Sequence, residues 1–170
     1  LLPARAAMPK DRDGCGPFGI LTEKSRNESI AMAPAALAEP IPDVPDADYL
    51  LYWSTGNRTR YQNARGRRLS RLRSLALAES AEGRGRYLKR IEDYLNAVCD
   101  MRSWVLPAHD WGGGARGAFD GRCPTVDLGA SLLAADLADV LDLVGARLNP
   151  AVVARVKREA AELVAGFPVP

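Results

Sequence analysis

The stretch from about Gly85 to Met101 constrains the fold most. Tyr87, Leu88, Ile91, Tyr94, Leu95 and Val98 recur there at i, i+3, i+4 and i+7, opposite Lys89, Glu92, Asp93 and Asn96. That spacing puts one apolar and one polar face on a helix, whereas a strand would scatter the same residues over both faces. Upstream, the run from Arg58 to about Ala81 has no proline and repeats Leu69, Leu72, Leu75 and Ala76 at helical spacing; Gly83 and Gly85 then interrupt it. A third helix is predicted from about Asp127 to Val144, apolar almost all round except for Asp136, Asp139 and Asp142, and ending at Gly145. Such a helix needs neighbours on more than one side, and a missing neighbour leaves an apolar patch. The fourth opens with Asn149 as N-cap and Pro150 at its first position, and buries Val152, Val156, Ala160 and Leu163 until Gly166. No segment alternates as a half-buried strand does for more than a few residues. The predicted fold class is therefore all-α, built of two antiparallel helical hairpins.

Residues 1–47 read differently. Seven prolines, at 3, 9, 17, 34, 40, 42 and 45, stand among many alanines, so an irregular N-terminal arm is expected before a helical domain over 48–170. Lys plus Arg number 23 against 21 for Asp plus Glu, and a formal net charge of +2 does not by itself call for a polyanion or nucleic-acid partner. No apolar run reaches the roughly 20 residues that span a bilayer, so no membrane span is predicted and the chain reads as soluble. Cys15, Cys99 and Cys123 are odd in number, far apart and without a CxxC pair, and His109 is the one histidine. Neither a zinc site nor a disulfide framework is expected, and no cofactor is implied.

The connection from Ser103 to Val126 is long for a helical protein, where such links run about 2 to 8 residues. It gathers His109, Trp104, Trp111, Asp110, Asp120 and glycines at 112, 113, 114, 117 and 121. A tryptophan beside His and Asp could stack on a sugar ring and bond its hydroxyls; alternatively Trp104 anchors the loop in the core, and His109 and Asp110 cap a helix. The arginines at 58, 60, 65, 67, 68, 71 and 73, with no acid until Glu79, form the strongest charge cluster. They could line a groove for carboxylates or sulfates, or form a solvated face whose stems cover apolar surface. Asp136, Asp139 and Asp142 read as a solvent stripe.

SWVLPAHD at 103–110, TVDLGASLLAADLADVLDLVG at 125–145 and LNPAVVARVKREAAELV at 148–164 together resemble the N-terminal helical domain of heparinase II/III-like proteins. YLLYWSTGNRTRYQ at 49–62, the Arg67-Arg68 pair and GRYLKRIEDYLNAV at 85–98 agree in the same order, so the likeness covers about Asp48 to Pro170. It implies the opening part of an incomplete (α/α) toroid, followed in that family by a β-sandwich domain this chain does not contain. It further implies polysaccharide lyase activity: β-elimination on an acidic, uronic-acid-containing polysaccharide, in which a base removes the proton beside the carboxylate while polar groups offset the developing charge. On the W-x-x-P-A-H-D and G-N-R motifs, Trp104, His109, Asp110, Asn57 and Arg58 become candidate substrate-binding residues, with His109 the candidate base and the family's established catalytic positions expected beyond Pro170. Polymer-degrading relatives are often exported, so a periplasmic or secreted location is implied, although no signal peptide is visible. Two other readings stand beside it: a helical-hairpin scaffold for a protein partner, and a toroid glycoside hydrolase with facing carboxylates.

Overall fold

A computed structural model describes residues 22–165, and these are helical without a strand. The helices are α1 (Glu23–Ala31), α2 (Ala33–Ala38), α3 (Asp46–Thr55), α4 (Thr59–Glu82), α5 (Leu88–Cys99), α6 (Leu128–Val144) and α7 (Pro150–Ala165), with 3-10 turns at Pro107–His109 and Gly145–Arg147. The all-α expectation holds for the described residues. The apolar stripe of α5 is the centre of the core: Tyr87, Ile91, Tyr94, Leu95 and Val98 are all buried, and they meet Leu72, Leu75, Leu133, Leu137 and Val156.

Helix α4 lies in the middle, touching α1, α2, α5 and α6. The polar contacts fix how the hairpins sit. Arg68 donates from α4 to the Ala97 carbonyl near the end of α5 at 2.8 Å, and Tyr87 N–H before α5 reaches Glu79 near the end of α4 at 2.9 Å, so this pair is antiparallel. Along α6 the order matches α4 instead: Arg65 reaches the Gly129 carbonyl at 2.6 Å, Arg73 pairs with Asp136 at 2.9 Å, and Arg147 bridges to Glu79 at 2.7 Å. Helix α7 follows α5 in the same way, through Asn149 N–H to Glu92 at 2.7 Å and Arg155 to Asp100 at 2.6 Å. The second hairpin is thus laid beside the first, each leg parallel to its counterpart.

The described part of the N-terminal arm is not irregular. Residues 1–21 of it lie outside the described residues, but α1, α2 and the start of α3 fall within 22–47. The prolines sit where helices tolerate them: Pro34 is in the first turn of α2, and Pro45 precedes α3. The alanines supply close contact rather than bulk, since Ala33 and Ala36 are sealed within the main core. Between them, the extended Pro-rich segment gives its carbonyls to arginines: Arg68 to Pro42 at 3.0 Å and Arg71 to Pro40 at 3.0 Å. Helix α3 itself was not expected from periodicity; it turns on Asp46 and Asp48 in its first turn and closes at Gly56, whose φ of 76° suits glycine.

One face of α6 stays open. Leu133, Leu137, Val140 and Val144 are buried, but Leu128 and Leu132, one turn apart, are 66% and 58% exposed. At the other end of the fold, the fully buried Glu79 accepts from Gly85 N–H at 2.7 Å and Tyr87 N–H at 2.9 Å as well as from Arg147. Burial alone would raise its carboxyl pKa, but the two backbone bonds and the Arg147 guanidinium outweigh burial and hold it below the ordinary 4.5. A depressed folded-state pKa contributes stability that is complete above the ordinary value and is lost as pH falls through the lower one. Glu79→Gln is expected to lower the free energy of unfolding by about 2 kcal/mol near neutral pH. Urea titrations at falling pH should show that difference shrinking below the ordinary carboxylate range.

Candidate functional site

The loop between α5 and α6 is organised from inside by Asp110. Its carboxylate is fully buried and accepts from the Tyr49 hydroxyl at 2.8 Å, Ala118 N–H at 2.8 Å and Phe119 N–H at 3.0 Å. Tyr49 stacks on Phe119 with centroids 4.5 Å apart and meets Tyr61 edge-on at 5.0 Å, while the Tyr61 hydroxyl donates to the Ser103 carbonyl at 3.1 Å. Burial, reinforced by the Asp110 carboxylate, pushes the Tyr49 phenol far above its usual range, and burial pushes Tyr61 up to about 12. Both phenols therefore remain protonated donors. Gly117 closes the loop: a Cβ there would fall 1.6 Å from the Gly112 carbonyl oxygen, so only glycine fits.

Of the residues picked out in the sequence, Trp104 and Asp110 are structural. Trp104 is 7% exposed and donates Nε1–H to the Val98 carbonyl at 3.2 Å, which is the core-anchor alternative. Asp110 is fully buried with its oxygens filled by protein donors. Asn57 lies just before the N-cap of α4, its Oδ1 accepting from Arg60 N–H at 3.2 Å and the Thr59 hydroxyl at 3.1 Å. Arg58 is exposed beside it. Trp104 and Asp110 are buried while the His109 side chain is 42% exposed, so the three do not share one exposed face.

His109 and Trp111 do reach the surface. The His109 side chain is 42% exposed, and its Nδ1 lies 2.8 Å from Asp127 Oδ2. Asp127 is the N-cap of α6, accepting from Ala130 N–H at 2.7 Å and from Leu106 N–H at 3.1 Å. A carboxylate only accepts, so Nδ1 donates in this pairing and Nε2 is left without a partner among the described residues. Trp111 is 59% exposed, tethered by Nε1–H to the Ala108 carbonyl at 3.1 Å. Its ring meets Trp53 at 4.7 Å, and Trp53 meets Tyr52 at 5.4 Å, giving a row of aromatics from α3 to the loop. Sequence reasoning gave His109 no partner and left Trp53 out. Asp127 could have been found as the cap residue before an apolar run; Trp53 had no signal until α3 was placed.

The arginine cluster divides: Arg58, Arg60 and Arg67 are exposed, as on a solvated face, while the rest are engaged within the fold. Arg65 and Arg68 are buried, Arg60 pairs with Asp48 at 2.8 Å, Arg71 meets Pro40 and Glu39, and Arg73 meets Asp136. They fasten α4 to its neighbours instead of lining a groove, and Asp136 is taken out of the solvent stripe. Burial lowers the pKa of Arg65 and of Arg68 from the ordinary guanidinium value. Among the described residues no helix is long and apolar enough to cross a membrane, and no three His, Cys, Asp or Glu side chains converge as metal ligands. Compared with known protein families and with curated proteins, the chain matches none. What fold and site define together is a protein of stacked helical hairpins carrying an aromatic and imidazole surface on its longest loop.

Asp110→Ala, which leaves three donors without their acceptor, is expected to cost about 3 kcal/mol in chemical denaturation, and Tyr49→Phe about 1 kcal/mol. An unchanged denaturation midpoint for Asp110→Ala would remove Asp110 as the organiser of the loop.

Proposed function

We propose that the chain is the opening part of a heparinase II/III-like polysaccharide lyase, and that its own share of the work is to bind acidic polysaccharide at the surface of Trp53, Trp111 and His109. The observation that carries this reading is Trp111, held 59% exposed against Trp53 and two residues from a histidine whose Nε2 is left available. An exposed indole face offers a flat apolar surface to the C–H face of a pyranose, and an imidazole at its edge can bond a hydroxyl or a carboxylate. The parallel stacking of the two hairpins supports a toroid reading, since a ring of helix pairs needs that register repeated. In β-elimination, His109 would take the proton beside the uronate carboxylate on Nε2, and Asp127 would steady the imidazolium that results.

The scaffold reading keeps one observation in its favour, the exposed Leu128 and Leu132 on α6. The hydrolase reading has none: Asp110 and Asp127 are both occupied by backbone N–H groups. Binding to immobilised uronic-acid polymers of differing sulfation separates the first two. Trp111→Ala is expected to weaken binding about tenfold, roughly 1.4 kcal/mol, with unchanged helical circular dichroism. Equal binding by both proteins, or none by either, overturns the proposal. Where unsaturated uronate is formed and followed by its ultraviolet absorbance, His109→Ala is expected to slow it about a hundredfold or more. Unaltered turnover would take His109 out of the chemistry.

A further inference from the structure

Within the glycine turns of the long loop, Arg116 holds a conformation that glycine would take more easily. Its φ is 62°, and no other non-glycine residue among those described enters the left-handed region. Gly113, Gly114 and Gly121 adopt positive φ in the same loop without crowding a Cβ, so glycine is the residue the backbone alone would favour at 116. A side chain kept under such strain points to a use for that side chain.

The backbone fixes where it stands. Arg116 N–H donates to the Asp110 carbonyl at 2.9 Å, and that carbonyl belongs to the peptide bond leading into Trp111. The Trp111 carbonyl accepts from Gly114 N–H at 3.2 Å. The loop therefore closes on itself and sets Arg116 at the root of the exposed indole. The Arg116 side chain is 42% exposed, whereas Asp110 is sealed inside.

The charge there is unbalanced. Asp120 Oδ2 faces two guanidiniums, Arg122 Nη2 at 3.2 Å and Arg116 Nη2 at 3.6 Å. Arg122 is engaged with the turn itself, donating to the Gly113 carbonyl at 3.2 Å and the Ala115 carbonyl at 2.5 Å. At 3.6 Å the Arg116 pair is too long for a hydrogen bond, and its guanidinium makes none among the described residues. One carboxylate against two cations leaves a positive charge and an open fork of donors. An exposed pair this loose adds little to stability, so it does not account for the strained position.

We propose that Arg116 reads the acid group of the sugar that lies on Trp111. Its guanidinium takes the uronate carboxylate in a two-pronged hydrogen bond, while Arg122 braces the turn and Asp120 steadies the guanidinium. This rests on the sugar-binding reading above and adds the residue that separates acidic from neutral polymer.

The test measures binding of the full chain to alginate, polygalacturonate, hyaluronan and heparan sulfate, each beside its carboxyl-reduced form. The unmodified protein should bind the acidic form of at least one about tenfold more tightly than the reduced form. Arg116→Gln should bring that acidic polymer down to the level of its reduced counterpart and leave the reduced form's affinity unchanged, whereas Trp111→Ala should weaken both alike. Arg116→Gly should lose the same discrimination without lowering the urea midpoint, since glycine suits that backbone. If Arg116→Gln keeps the preference, or the unmodified protein binds both forms equally, the assignment of Arg116 is overturned while the Trp111 surface stands. A lower midpoint for Arg116→Gly would also overturn it, by making the arginine a structural staple. Binding of neither form of any polymer ends this inference and the sugar-binding reading together.

Discussion

The guanidinium of Arg68 holds the fold at its centre. From α4 it donates to the Pro42 carbonyl of the extended segment and to the Ala97 carbonyl of α5, joining positions 26 and 29 residues away. Proline-rich backbone has carbonyls to satisfy and few N–H groups with which to pair them, and no strand lies alongside among the described residues. A carbonyl left buried without a donor costs about 1–3 kcal/mol, so the segment rests against α4 only because α4 presents donors to it. Arg65 does the same for the Gly129 carbonyl at the start of α6. The planar guanidinium suits the task because it carries several donors in a rigid fork and stays charged even when burial lowers its pKa.

With α4 fixed to both flanks, the long loop has a floor to stand on. Asp110 and Trp111 show how sharply it divides: adjacent in the chain, one is 0% and the other 59% exposed. The carboxylate gathers Tyr49, Ala118 and Phe119 into an interior knot, and what the knot excludes is carried outward. An exposed indole above buried support would let the proposed sugar ligand bind without first ordering the loop.

How much of this could be read from residues alone follows from the range of the interactions. Helices α4 to α7 were legible because their apolar stripes are local patterns, and Tyr87, Ile91, Tyr94 and Val98 fell where the spacing put them. Helix α3 was not, since only Tyr49 and Asp48 are buried on it and a single turn carries no period. The arginines misled for a related reason: a run of like charge reads as surface until the carbonyls of Pro42, Ala97 and Gly129 are known to face it. At the loop, composition marked an unusual stretch, but which acid holds His109 depends on Asp127, 18 residues away and just past the end of the loop.

Asp127 serves three masters with one carboxylate. It starts α6 through Ala130, steadies the approach of the loop through Leu106, and holds the ring of His109. Whatever draws the imidazole outward therefore pulls on the group that begins a helix, and the first residues past that group are the uncovered Leu128 and, a turn on, Leu132. The seat of the ring and the footing of an unclad helical face rest on the same two oxygens.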